Sequence, residues 1–185
     1  WHKVRATAQA SRRTGLGVTA LGDTLAAMGM KYDSDRALSA IETIMQTKMS
    51  SELDCTIDLA VLRGTFEGWD PNLEIGDAKN TFYDFIAENF TEQWSRMCKY
   101  GRRNVSWSTV APTGSLSIMA KLQKYSNVTS GLEPVFAPFY MRRKKVNTSD
   151  KTARVDFTDQ NGDTWQEYPV MMAGFKEWYL SYCSD

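Results

Sequence analysis

The chain has 185 residues, of which 42% are hydrophobic and 24% charged, so it is a globular sequence long enough to build a real core and not a disordered one. Lysine plus arginine and aspartate plus glutamate both number 22, and the resulting formal charge of zero argues against bulk electrostatic binding to nucleic acid or to an anionic membrane. No apolar run approaches the roughly 20 residues that span a bilayer, and the polar start Trp1-His2-Lys3-Val4-Arg5 does not read as a signal peptide.

Residues 1–16 are polar and basic and predict no amphipathic element. From Gly17 to Met30, Val18, Leu21, Leu25 and Met28 recur at helical spacing, with Gly29 as a terminator. The glycines of "GLGVTALGD", Gly15 to Asp23, miss the dinucleotide-binding spacing and follow no strand, so they are expected to let a helix pack closely on a neighbour. A long helix follows, capped by Asp33 or Ser34 and ending near Arg63-Gly64. Its stripe is Leu38, Ile41, Met45, Met49, Leu53, Ile57 and Val61. Residues 64–77 read as a loop. A third helix is predicted from Ala78 to Tyr100, burying Phe82, Phe85, Ile86, Phe90, Trp94 and Met97, with Gly101 ending it.

The pattern then changes. Val105, Trp107, Thr109 and Ala111 alternate with smaller residues and predict a strand that stops at Pro112. "TGSLSIMAKL" predicts a short helix, "YSNVTSGLEP" a loop, and "VFAPFYMRR" a strand that Pro138 makes an edge or an irregular one. Asn161-Gly162 between alternating runs is a hairpin signal, and a last helix runs from Met171 to Tyr182.

The segment "APTGSLS" is the candidate site. Gly114 admits close approach of a ligand to the backbone, and Thr113, Ser115 and Ser117 supply hydroxyls. The first N–H groups of a helix starting here are unpaired and attract anions. Local chemistry leaves two readings open: an anion cradle, or an N-cap at Thr113 followed by a small-residue turn. The clusters Arg102-Arg103 and Met141 to Lys145 read as solvated surface, although either arginine beside a phosphate loop would add attraction. Cys55, Cys98 and Cys183 lack CxxC spacing and the lone histidine is His2, so no zinc site, disulfide framework or histidine-based catalytic site is expected. Cys55 and Cys98, on helix stripes, are expected to be buried, and a reducing cytoplasm is the expected compartment.

Three stretches, "RRTGLGVTALGDTLAAMGMKYDS", "YGRRNVSWSTVAPTGSLSIMA" and "TSGLEPVFAPFYMRRKKVN", together resemble the catalytic subunit of ribonucleotide reductases in order and spacing. "MRRKKVN" with "ARVDFTDQNGDTWQEYPV" tilts the resemblance toward the adenosylcobalamin-dependent class II branch. The resemblance implies an α/β fold, namely part of a ten-stranded barrel made of two five-stranded halves. The chain would be its C-terminal portion, helix-rich with a β-hairpin insertion. It reads as one segment: 1–103 mainly helical, 104–142 strand, phosphate loop, helix and strand, and 143–185 hairpin and terminal helix. By the same resemblance Pro112, Thr113, Gly114, Ser115 and Leu116, flanked by Ala111 and Ser117, bind the substrate phosphates. Gly131, Leu132, Glu133 and Pro134 resemble a family turn that walls the active site.

The family's radical chemistry uses a thiyl cysteine and a glutamate in an Asn-Pro-Cys-x-Glu finger loop, which this sequence lacks. No catalytic residue and no metal ligand is therefore assigned to the segment. With Trp1 in place of a starting methionine, it is expected to be a split subunit or a piece of a longer protein, inactive alone. For the complete enzyme the resemblance implies abstraction of the ribose 3′ hydrogen by a cysteine radical, loss of the 2′ hydroxyl as water, and reduction by a cysteine pair. It implies adenosylcobalamin, or alternatively a radical-donating partner subunit, with no cofactor held by this segment. The implied partners are a ribonucleoside di- or triphosphate, the remainder of the catalytic subunit with its finger-loop cysteine, and a thioredoxin-type reductant, with no membrane and no direct nucleic acid. Two other classes stay open: a non-catalytic nucleotide- or phosphate-binding module, and a helical structural or interaction protein.

Overall fold

A computed structural model describes residues 1–75, 80–119, 121–122, 126–127, 131–134, 137–146, 152–171 and 175–182. In chain order the elements are α1 (His2–Ser11), α2 (Leu21–Ala27), α3 (Asp35–Arg63), α4 (Pro71–Glu74), α5 (Thr81–Asn89), α6 (Thr91–Tyr100), α7 (Gly114–Met119), β1 (Lys121–Leu122), β2 (Ser126–Asn127), β3 (Phe139–Lys145), β4 (Phe157–Thr158), β5 (Thr164–Met171) and α8 (Phe175–Tyr182). They fall into two compact units, Trp1–Val18 with Met30–Ala111, and Thr19–Gly29 with Pro112–Asp185.

The first unit is helical. α3 begins where the sequence places it: the Ser34 side chain accepts from the Ala37 N–H at 3.3 Å, and Gly64 ends the helix at φ 78°. Of the predicted stripe only Leu53 and Ile57 are buried. Leu53 and Ile57 are fully enclosed, whereas Leu38 and Val61 are exposed. The predicted helix over 78–100 is instead two helices, broken at Phe90 (φ −135°, ψ 55°). The break is invisible to periodicity because Phe90 is itself a core residue. By ending one helix and starting the next, it lets Tyr83, Ile86 and Met97 converge with Leu53, Ile57 and Trp107. Phe82 and Phe85, expected inside, are 42% and 46% exposed. Arg96 pairs with Asp54 at 2.5 Å and also with Asp58, and Gln93 reaches Ser50 and Asp54, which ties α6 to α3. α1 was not expected. It has no buried residue and so no apolar stripe to announce it.

The predicted strand over 105–111 is not a regular strand. Its N-terminal part runs parallel to residues 14–16, with Leu16 N–H donating to Trp107 O (2.9 Å) and Thr109 N–H to Leu16 O (3.0 Å), and one bridge joins Leu16 to Ser108. Alternation was present, but among the described residues one short neighbour supplies too few ladder bonds for a strand. Gly15 and Gly17 lie against Thr109, where an added Cβ would come within 3.2 Å of its side chain. Lys48 fastens the same segment to α3, since its ammonium donates to Ser108 Oγ (2.7 Å) and Glu52 Oε1 (2.8 Å).

In the second unit β1 and β2 pair antiparallel, and β3, β5 and β4 form a three-stranded antiparallel sheet in that order. β3 is at the edge, as Pro138 predicts, in register from Phe139 opposite Met171 to Lys145 opposite Trp165. β4 pairs only with residues 164–165, so at Pro169 the middle strand has a partner on one side, which spares the N–H that proline lacks. The Asn161-Gly162 hairpin forms with Gly162 at φ 82°, and Asp159 organises it by accepting from Asn161 N–H, Asp163 N–H and Trp165 Nε1–H. The Trp165 bond, followed by the backbone donors, holds the Asp159 carboxyl below its ordinary value. The basic run of β3 is partly paired, through Arg143–Glu167 (2.9 Å) and Lys145–Asp163 (2.6 Å).

Among the described residues no sheet closes into a barrel, and no helix is long and apolar enough to cross a membrane. Cys55 and Cys98, expected to be buried, are exposed, because each falls just off the enclosed face of its helix. Cys183 lies outside the described residues.

Candidate functional site

The "APTGSLS" loop lies at the start of α7. Ala111 and Thr113 are half-buried, Pro112, Gly114, Ser115 and Leu116 are exposed, and Ser117 is buried. Ser117 closes the turn on itself: its N–H donates to Thr113 O at 2.9 Å and its hydroxyl to Gly114 O at 2.6 Å. Ser117 is thus spent on structure, and Leu116 carries its side chain to solvent at 57% exposure. A Cβ built on Gly114 meets no atom within 4 Å, so open space lies beside the backbone where a ligand is expected.

Thr113 is the unusual residue. It occupies the N-cap position by sequence, but its hydroxyl does not make the capping bond. Its Oγ1 is buried and has no hydrogen-bond partner among the described residues. Its backbone is left-handed, at φ 55°. For a β-branched residue that conformation costs about 1–2 kcal/mol, and an unmet buried hydroxyl costs about 1–3 kcal/mol more. A plain helix cap has neither cost.

The second predicted motif meets the first. Gly131 is buried against the loop: a Cβ there would fall inside the van der Waals shell of the Pro112 carbonyl oxygen and 2.6 Å from Thr113 Oγ1. Leu132 is half-buried, while Glu133 and Pro134 are exposed. α2 joins the same group. Leu21 N–H donates to Gly131 O at 3.3 Å, and a Cβ on Gly22 would stand 2.6 Å from Glu133 O and 2.9 Å from Pro134 Cα. Of the glycines in "GLGVTALGD", Gly22 therefore makes a close helix packing with the Gly131–Pro134 turn. Its partner, more than a hundred residues away, leaves no local trace in the sequence.

The arginines that precede the loop in sequence do other work. Arg102 is 5% exposed and stands among the rings of Phe66, Trp69, Tyr83 and Trp107, 5.0–5.9 Å from their centroids. Its guanidinium donates to Asn104 O (2.7 Å), Val105 O (2.6 Å), Glu74 Oε2 (2.6 Å) and Tyr83 Oη (2.7 Å). Arg103 donates to the carbonyls of Arg63, Gly64 and Thr65 and so closes the C-terminus of α3. Neither is the solvated cation the sequence reading allowed. Four aromatic residues scattered over residues 66–107 were the available signal for this cage. Burial, with the hydrogen bond that Tyr83 donates to Glu74, pushes the Tyr83 hydroxyl up to about 12.

The sequence matches known proteins over most of its length. The family described as ribonucleotide reductase, barrel domain, matches residues 1–167. A vitamin B12-dependent ribonucleoside-diphosphate reductase of Mycobacterium tuberculosis (strain CDC 1551 / Oshkosh) is 32% identical over 136 residues, which is 73% of this chain and 16% of that protein. A vitamin B12-dependent ribonucleotide reductase of Streptantibioticus cattleyicolor is 30% identical over 155 residues, 73% of this chain and 25% of that protein. The ribonucleoside-diphosphate reductase subunit alpha of Treponema pallidum (strain Nichols) is 24% identical over 134 residues, 72% of this chain and 15% of that protein. The chain thus spans a quarter or less of the length of these relatives. With 167 of its 185 residues inside the match, the chain belongs to the ribonucleotide reductase family, in the stretch that forms the barrel domain.

Proposed function

We propose that this chain holds the substrate phosphates of a ribonucleotide reductase that converts ribonucleotides to 2′-deoxyribonucleotides. The observation that carries the proposal is Thr113, whose buried hydroxyl lacks an acceptor and whose backbone is strained, beside the open space at Gly114. Ser115 Oγ, on an exposed residue, and the backbone N–H groups at the start of α7 are the donors, and Thr113 Oγ1 joins them only by turning away from Gly131. Each bond to a charged phosphate oxygen contributes about 1.5–3 kcal/mol, so three suffice to hold a phosphate without a lysine. Gly131 walls the cradle from one side. The role is positional: the loop fixes one end of the nucleotide so that its ribose meets the reacting groups in a productive pose.

The cysteine that starts the reaction belongs to sequence carrying Asn-Pro-Cys-x-Glu, so this chain works with that sequence, in one polypeptide or as a split subunit. The parallel contact of residues 14–16 with 106–109, reached through intervening helices, is the kind of connection from which an α/β barrel is built, and it supports placement as the C-terminal part of that barrel. The B12-dependence in the relatives' names favours the class II branch. The complete enzyme would then draw its radical from adenosylcobalamin, with a radical-donating partner subunit as the alternative. Hydroxyls and backbone amides suit phosphate oxygens and not a corrin, so other residues of the complete enzyme would hold the cofactor. The substrate is a ribonucleoside di- or triphosphate, the reductant is of thioredoxin type, and the compartment is the cytoplasm.

Gly114→Asp tests the cradle. The site has room for a side chain, so the fold is expected to persist while a carboxylate enters the phosphate space. Equilibrium dialysis of CDP and CTP against the native assembly containing this chain is expected to show binding weakened by at least ~10-fold with an unchanged circular dichroism spectrum. Unchanged nucleotide binding would sink the proposal.

A further inference from the structure

We infer that Gly22 and Gly131 are positioning residues that brace the phosphate loop from behind. This rests on the reading of that loop as the substrate-phosphate cradle. The brace is a chain of three contacts within one compact unit. Gly22 on α2 touches the backbone of Glu133 and Pro134, with no room for a methyl group at 2.6 Å from Glu133 O. Leu21 N–H holds Gly131 O from the same helix. Gly131 in turn abuts the Pro112 carbonyl and the Thr113 hydroxyl, again with no room for a side chain.

The last contact falls on the one residue of the loop whose backbone is left-handed. A strained conformation persists only where its surroundings over-determine it. Among the described residues, the bond seen at Thr113 is the one its carbonyl accepts from Ser117 N–H. Gly131 supplies a further restraint by close approach, and Leu21 N–H on α2 holds Gly131 O. Gly22 meets backbone atoms of Glu133 and Pro134, and Gly131 meets the Pro112 carbonyl and the Thr113 hydroxyl, so no long flexible side chain lies between. α2 therefore sets where the phosphate donors stand, through its hold on Gly131 and on the Glu133–Pro134 backbone.

The test is Gly22→Ala in the native assembly, with Gly29→Ala as control. Gly29 ends the same helix at φ 67° but has nothing within 4 Å of its Cβ position, so its alanine strains α2 without pushing on the turn. For Gly22→Ala the expected result is a KM for CDP or CTP raised ~10-fold with kcat held within about twofold, since displacement of a positioning group weakens substrate placement before it touches chemistry. The Ser117 amide, which closes the Thr113 turn, is expected to exchange its hydrogen faster. Gly29→Ala is expected to lower the melting temperature and leave KM unchanged. If Gly22→Ala leaves both KM and Ser117 exchange at wild-type values, or lowers kcat with KM fixed in proportion to the unfolded fraction, the brace is disproved. If Gly114→Asp also leaves KM and nucleotide binding unchanged, the cradle reading itself has failed and the brace fails with it. If Gly114→Asp weakens binding while Gly22→Ala does nothing, only the brace is lost.

Discussion

Arg102 shows how one side chain can organise a helical unit. Its charge is out of water, and it survives there because carboxylate, hydroxyl, carbonyls and ring faces surround it. Lysine keeps the charge but not the planar fork that meets Glu74, Tyr83, Asn104 and Val105 together. Arg102→Lys is expected to lower unfolding stability by about 2–3 kcal/mol, read as a shift of the urea midpoint, with nucleotide binding per folded molecule unaffected. Tyr83 carries a pH signature of the same cage. Its folded value, about 12, stands above the ordinary 10.0, so the folded state holds its proton more tightly than the unfolded chain does. This contribution to stability is complete below pH 10 and is lost as pH rises from 10 to about 12. Denaturant titrations across that range are expected to show the decline, and Tyr83→Phe to flatten it.

At the scale of elements, the junctions decide the architecture. Phe90 separates α5 from α6, and Gly101 ends α6 at φ 71° and ψ −165°, a region open to glycine alone. A Cβ on Gly101 would also stand 2.5 Å from Thr65 Cγ2 and 2.9 Å from Trp69 Nε1. Gly101→Ala is therefore expected to cost roughly 2–4 kcal/mol, strain and overlap together. Trp69 sits on the Arg102 cage, so a tryptophan fluorescence change is expected to accompany the loss. One helix start was legible in the sequence, the Ser34 cap of α3. Asp70, inside the predicted loop, and Asn80, past the predicted start at Ala78, cap α4 and α5 by the same chemistry, each accepting from a backbone N–H two residues on. Helix interiors were less legible. A stripe such as Leu38 to Val61 records which face is apolar, and packing partners decide how much of it is covered.

For the whole molecule, membership of the ribonucleotide reductase family is settled. The Asn-Pro-Cys-x-Glu loop is absent from the 185 residues, and the chain spans only 16% of the mycobacterial relative. Purified by itself with reductant and adenosylcobalamin, the chain is expected to form no 2′-deoxynucleotide. Added to a polypeptide that carries the loop, it is expected to co-elute on size exclusion. Product formed by the chain alone would overturn the assignment of the reacting cysteine to another sequence.

What the sequence determined by itself was local or combinatorial. Ser34 and Gly64 bracket α3 because cap chemistry acts within four residues. Asn161-Gly162 marks the hairpin because the turn conformation is paid for locally. The Pro-Thr-Gly-Ser and Gly-Leu-Glu-Pro motifs, taken together in order, point to the family. Tertiary structure alone decided the rest: that Arg102 faces an aromatic cage, that residues 105–111 form only one bridge among the described residues, that Cys55 and Cys98 face outward, and that Gly131 abuts Thr113 while Gly22 abuts the Glu133–Pro134 backbone. Each of these depends on contacts between residues far apart in the chain. Their energies come from burial and close approach, which no local pattern of residues records.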